Sequence, residues 1–140
     1  MSKIVLISCV SKKLPHRAKA KDLYISDLFV KSLAYAHALQ PDRIFVLSAK
    51  YGLVDIEQEL DPYELTLNTM RAAEIRRWAE IVEEQMRMNG IDFDNDEIVF
   101  LAGEKYRKYL MPSFGKASVP MKGLRIGEQL RFLSENLVAK

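Results

Sequence analysis

Three short apolar runs, at residues 4–7, 44–47 and 98–101, punctuate the chain. Each is too short for a helix and shows no polar alternation, so each reads as a strand buried on both faces. Between them the apolar period lengthens. Ser26 is a suitable N-cap, and Leu28, Phe29, Leu33 and Ala36 then recur at helical spacing, so a helix is expected to about Leu39, with Pro41 beyond its end. Ile75, Trp78, Ala79, Val82 and Met86 form a second, longer stripe. That helix is expected from a cap at Asn68 or Thr69 to about Met88, where Asn89-Gly90 provides a stop. A short helix is expected from Glu104 to Met111, ended by Pro112. A fourth, shorter strand is expected at residues 117–121, with Pro120 marking an edge or a strand end. Ile126, Leu130, Leu133 and Leu137 space a last helix.

The resulting order, β-α-β-α-β-α-β-α, implies a single α/β domain of three layers: a mostly parallel sheet of about four strands flanked by helices. Residues 14–21 read as a loop, because Pro15 interrupts them and their charges have no period. Residues 54–67 read as a second, longer loop carrying Asp55, Glu57, Glu59, Asp61 and Tyr63. A loop of that length in a small domain is usually functional or mobile.

Composition narrows the class. The 140 residues are 49% hydrophobic and 29% charged, which is ordinary for a globular domain able to bury a real core. No apolar run approaches the roughly 20 residues that span a bilayer, so no membrane partner is expected. The start, Met1-Ser2-Lys3, leads into an apolar run too short for a signal peptide. A single cysteine, Cys9, excludes an internal disulfide and fits a reducing cytoplasm. With two histidines beside it, a dedicated zinc site is not expected, and neither is a cofactor. The net charge of +2 permits nucleic-acid binding without arguing for it. The local distribution is more informative, with Lys12, Lys13, His16, Arg17, Lys19 and Lys21 in one region and Lys105, Arg107, Lys108, Lys116, Lys122 and Arg125 in another.

The candidate chemistry lies at the ends of the strands. Ser8-Cys9 then Ser11 and Lys12, Ser48-Ala49-Lys50-Tyr51-Gly52, and Ala102-Gly103-Glu104-Lys105-Tyr106 with Arg107 share one design of small residues followed by charge. In open parallel sheets ligands bind at these carboxyl ends, so the exits are expected to assemble one polar hollow, roofed by residues 54–67. Ser8, Ser11 and Lys12 suit an anion cradle, although the glycine pattern of a P-loop is missing. Lys50 offers a further cation. Lys105 and Arg107 suit phosphates. Tyr51 and Tyr63 could stack on a base or cover the core. Cys9 reads as a nucleophile or as a buried inert thiol. Glu104 reads as a catalytic carboxylate or as a helix first-turn residue. Asp61 reads as a general base or as the start of a turn completed by Pro62.

These segments also carry a resemblance. Ser8 to Lys13, Leu47 to Leu53 leading to Asp61-Pro62-Tyr63-Glu64-Leu65, and Leu101 to Tyr106 together resemble a family of small bacterial and phage proteins. That family is similar to the YaaA-like peroxide-stress proteins, which share a tyrosine-glycine-leucine turn and a downstream proline-tyrosine-x-leucine segment. The resemblance implies association with DNA and protection from oxidative damage. More distantly, Ser8-Cys9 followed by Ser11-Lys12-Lys13 is similar to a strand end in a domain of archaeosine synthase, a tRNA-base-modifying enzyme related in fold to uracil-DNA glycosylases. Asp61-Pro62-Tyr63 resembles the aspartate-proline-tyrosine of those glycosylases, where the aspartate helps a water attack the sugar and the tyrosine shapes the base pocket. There the motif follows the first strand, whereas here it follows the second.

The leading expectation is therefore a nucleobase-directed enzyme of N-glycosidase type, acting on a nucleic acid or a nucleotide. Asp61 and Glu104 are its candidate catalytic residues. Two rivals stand beside it, a non-enzymatic DNA-binding protein of the YaaA type and a nucleotide-binding module.

Overall fold

The computed structural model describes residues 1–138. Within them the elements run β1 (Lys3–Ser8), β2 (Ala18–Lys19), α1 (Ala20–Leu23), α2 (Asp27–Ala38), β3 (Arg43–Ser48), β4 (Gly52–Asp55), β5 (Glu59–Leu60), α3 (Ala72–Met88), β6 (Glu97–Leu101), α4 (Glu104–Arg107), β7 (Ala117–Ser118) and α5 (Ile126–Val138). The three apolar runs become β1, β3 and β6, the middle of the main sheet, whose order is β4-β3-β1-β6-β7. β1 pairs in parallel with β3 on one side and β6 on the other, so that Leu6 lies opposite both Phe45 and Phe100. Ile4 to Ile7 are each at most 1% exposed. This is why their sequence shows no alternation: both faces of the central strand are covered, and each such side chain contributes roughly 1.5–3 kcal/mol by leaving water.

The fold is α/β, as expected, but the sheet has five strands rather than about four. The extra one, β4, is antiparallel to β3 and lies within the segment read as a featureless turn and loop. It is only four residues long, and Gly52, Leu53 and Val54 are all buried, so no period of two marks it. The turn into it is held by Tyr51 N–H donating to Ser48 Oγ at 3.0 Å, and Gly52 takes a positive φ of 76°. Its free edge is closed by a side chain of α3: Gln85 Oε1 accepts from Leu53 N–H at 2.7 Å, and Gln85 Nε2 donates to the Tyr51 carbonyl at 3.1 Å. The second expected loop, residues 14–21, likewise contains structure, since β2 pairs with β5 in a two-stranded ribbon and α1 follows it.

Other boundaries move for local reasons. Helix α3 starts at Ala72, not at a cap on Asn68 or Thr69. Thr66 Oγ1 accepts from Asn68 N–H at 3.2 Å and so caps a 3-10 turn, Leu67–Thr69, that ends before the helix. Glu74 Oε1 then accepts from Arg71 N–H at 3.1 Å and satisfies the start of α3 itself. Helix α4 is a single turn, and Pro112 sits inside a later 3-10 turn, Met111–Ser113, instead of ending a longer helix. The fourth expected strand shrinks to Ala117–Ser118, a parallel edge beside β6.

The helices cover both faces. α2 and α5 pack together, joined by Lys31 Nζ to Ser134 Oγ at 2.9 Å and by the rings of Tyr35 and Phe132 at 5.6 Å. On the other face α3 meets the turns after β6, through Trp78 against Tyr106 at 5.7 Å and Ser113 Oγ donating to Glu83 at 2.6 Å. The chain leaves β1 toward β3 on one side and leaves β6 toward β7 on the other. Strand order therefore reverses between β1 and β6, and a crevice opens at their carboxyl ends. Among the described residues no helix is long and apolar enough to cross a membrane.

Candidate functional site

Two adjoining chambers occupy that crevice. The first, of about 590 Å³, lies between the exits of β1 and β6 and is closed by α2, the segment after β7 and the start of α5. The second, of about 680 Å³, lies beside it between the exit of β1, the N-terminal turn of α2, α5 and residues 64–66. Cys9, Val10, Leu28, Asn68, Tyr106 and Ile126 line both, and so form their common wall. Each volume is that of a small-molecule site (typically ~300–1,000 Å³).

The first chamber mixes apolar and polar walls beneath a charged mouth. Phe29, Phe100 and Met121 supply buried apolar surface, and Ser32 is a buried hydroxyl among them. Arg107 donates one guanidinium hydrogen bond to the Ala102 carbonyl at 2.8 Å. That bond fixes the side chain in place and leaves most of its five N–H donors for a ligand. Glu104 is exposed at the same mouth. Lys105 Nζ donates to the Asn68 carbonyl at 3.0 Å.

The second chamber holds Lys13, whose ammonium lies 4.4 Å from the Tyr63 ring centroid and 5.7 Å from that of Tyr24. Burial pulls the Lys13 ammonium below its ordinary value, partly offset by the nearby Cys9 and Glu64. Cys9 is 8% exposed, with its Sγ 3.4 Å from the Tyr106 hydroxyl. The same hydroxyl accepts from Leu67 N–H at 3.3 Å and meets Thr66 Oγ1 at 3.4 Å. Burial pushes the Tyr106 phenol up to about 12, so it stays protonated and neutral at the wall.

Of the candidates drawn from the sequence, Ser8, Cys9, Gly103, Glu104, Tyr106 and Arg107 come together in the first chamber, and Ser11 joins Cys9 and Tyr106 in the second. The exit of β3 does not join them. β3 lies across β1 from β6, and its exit is filled by the turn into β4. Ser48 is fully buried there. Its Oγ meets the Tyr63 hydroxyl at 2.7 Å, and Trp78 Nε1 donates to its carbonyl at 2.9 Å. The Tyr63 hydroxyl in turn meets that of Tyr24 at 2.6 Å. Tyr51 is half-buried beside Tyr63, ring to ring at 5.5 Å, and Gly52 makes the turn. Lys50 is exposed, with its ammonium 5.3 Å from the Tyr51 ring and outside both chambers.

Asp61 also stands outside. Its side chain is 63% exposed and pairs with Arg17 at 3.1 Å, while Pro62 leads inward to Tyr63. Lys12 is exposed and lines neither chamber. Of the expected roof, only residues 64–66 reach the site, because β4 and β5 hold the earlier part against β3 and β2.

The structure adds residues that the sequence reading did not single out for the site. Ser32 left a usable trace, being a polar residue on the inner stripe of α2, one turn after Leu28 and Phe29. Lys13 adjoined the chosen strand exit. Asn68 and Met121 left none, because their position depends on which loops converge. Among the described residues no group of three His, Cys, Asp or Glu side chains is placed to hold a metal ion.

Residues 4–135 match the model of a family described as "Family of unknown function (DUF6884)", and the chain belongs to that family. No curated protein matches the chain.

Proposed function

We propose that the first chamber binds a nucleotide and that the protein is a nucleobase-directed enzyme of N-glycosidase type, with Glu104 as its carboxylate and Arg107 as its phosphate ligand. The observation that carries this reading is the placement of these two residues, one helical turn apart, at the mouth of a chamber at the switch point of the sheet. A chamber with both apolar and polar walls suits a base, and a guanidinium already anchored by one hydrogen bond suits a phosphate. Breaking an N-glycosidic bond sends the bonding pair to the base and leaves positive charge on the sugar, which a nearby carboxylate stabilises. Glu104 also accepts a proton from the attacking water as its oxygen bonds to the sugar carbon. The departing base ends with that proton. Such general-base assistance is worth typically ~10²–10⁴-fold.

Asp61 is not given this role, since it pairs with Arg17 and lines neither chamber. The rival DNA-binding reading loses support at the first basic region. There Arg17, Lys19 and Lys21 are engaged by Glu59, Asp61 and Glu57, so their charge is largely neutralised on the spot. The test compares Glu104→Gln with the parent on nucleosides, nucleotides and short oligonucleotides. The variant retains binding and loses base release by at least about 100-fold. Equal turnover in both removes Glu104 from the mechanism, and absence of base release by the parent removes the glycosidase reading.

A further inference from the structure

The two chambers are joined in a way that says what kind of nucleotide ligand fits. Neither is a vestibule of the other, as each has room for one nucleotide, at about 590 and 680 Å³. They share one wall, and Asn68 stands on it, open to both. Lys105 donates to the carbonyl of that same Asn68 at 3.0 Å, so an exposed ammonium is fixed at the seam. A phosphodiester joining one nucleotide in each chamber would pass this seam, within reach of the Lys105 ammonium.

The second chamber also has the walls of a base site. Leu65 and Ile126, 46% and 64% exposed, both line it and offer open apolar surface. Glu64 and Asp27 at its border accept hydrogen bonds and so favour a base bearing an amino group, as carboxylates do with cytosine. Lys13 faces the same space from the tyrosine side.

We propose that the ligand is a segment of single-stranded nucleic acid, with one nucleotide in each chamber and the linking phosphate on Lys105. This rests on the nucleotide reading of the first chamber and extends it. It makes the recognised unit a dinucleotide step of an unpaired strand, because a base that enters a chamber has to leave its stack.

The experiment measures the affinity of nucleoside monophosphates, dinucleotides and tetranucleotides for the full chain at two salt concentrations, with Lys105→Ala alongside. Dinucleotides are expected to bind at least tenfold more tightly than mononucleotides, with little further gain for tetranucleotides. Lys105→Ala, a change at an exposed side chain, is expected to bring the dinucleotide down to the mononucleotide level. It should also lower the salt slope by about one phosphate contact, roughly 0.7 in log K against log salt. Mononucleotide binding with no gain for dinucleotides overturns the two-chamber proposal and leaves the nucleotide reading standing. So does a stoichiometry of two mononucleotides per chain with Lys105→Ala unchanged on dinucleotides. Absence of binding by every probe overturns both.

Discussion

The hydroxyls of Tyr63 and Ser48 meet at 2.7 Å in the interior, fifteen residues apart in sequence. This contact pins the segment after β5 to the carboxyl end of β3, and the Tyr24 hydroxyl extends the chain from the other side at 2.6 Å. It also sets the aspartate-proline-tyrosine segment with its tyrosine as a buried tie and its aspartate facing out. Tyr63→Phe keeps the ring and removes the middle oxygen of the chain, leaving Ser48 and Tyr24 each without that partner. A loss of about 1–3 kcal/mol is expected from the midpoint of urea unfolding. An unchanged midpoint would show that the tie contributes nothing.

These two tyrosines, with Tyr106, set an alkaline limit. Burial raises Tyr24 and Tyr106 from 10.0 to about 12, and raises Tyr63 as well. A phenol whose folded value lies above its unfolded one contributes stability that is complete below the unfolded value and is lost as pH rises toward the folded one. Above pH 10 the unfolded chain releases these protons and the folded chain does not, so unfolding becomes easier. Denaturant midpoints are therefore expected to hold up to about pH 9.5 and then fall, with some tyrosinate absorbance appearing only together with unfolding. Ionisation of every tyrosine near its free value, with no loss of fold, would contradict this assignment.

Gln85 replaces a neighbouring strand for β4, meeting Leu53 N–H and the Tyr51 carbonyl. Gln85→Ala is expected to cost about 1–3 kcal/mol by leaving both backbone groups without that partner. Gly52→Ala is expected to cost more than about 1 kcal/mol for a separate reason. The position needs a φ of +76°, and a Cβ there would fall on the Gln85 side chain. Calorimetry on the two single variants and the double variant tests the link. The glycine change should cost less once Gln85 is shortened.

The ion pair between Arg17 and Asp61 is exposed on both sides, at 54% and 63%. Pairs of this kind contribute roughly 0–1 kcal/mol. Asp61→Asn is expected to lower stability by less than that and to leave nucleotide affinity and base release as they were. A large loss of turnover in this variant would return the catalytic role to Asp61.

The parts of the fold most legible in the sequence were those set by local pattern. The runs that became β1, β3 and β6 and the Trp78 stripe of α3 are read directly from apolar period, because each is covered by a large continuous surface. β4 escaped because a four-residue strand with three inward residues has no period to detect, and its edge partner is a glutamine three turns into a distant helix. In the site, the exits of β1 and β6 were legible, since any ligand site in such a sheet lies at strand ends. Strand order was not. Placing β3 across β1 from β6 is what takes Lys50 and Ser48 out of the site, and that choice is made by long-range packing. Lys13 takes its position from an antiparallel bridge to Tyr24, and Asn68 from the turn capped by Thr66, and neither contact leaves a local period in the sequence.

The most direct measurement of the central claim is an isothermal titration of nucleoside monophosphates into the parent chain, Arg107→Ala and Lys50→Ala. The parent is expected to bind, and Lys50→Ala to match it, since Lys50 stands outside both chambers. Arg107→Ala is expected to bind about 10–100-fold more weakly, the worth of a charge-assisted hydrogen bond of roughly 1.5–3 kcal/mol. Equal affinity for the parent and Arg107→Ala, or a loss confined to Lys50→Ala, would contradict a nucleotide site at the exits of β1 and β6.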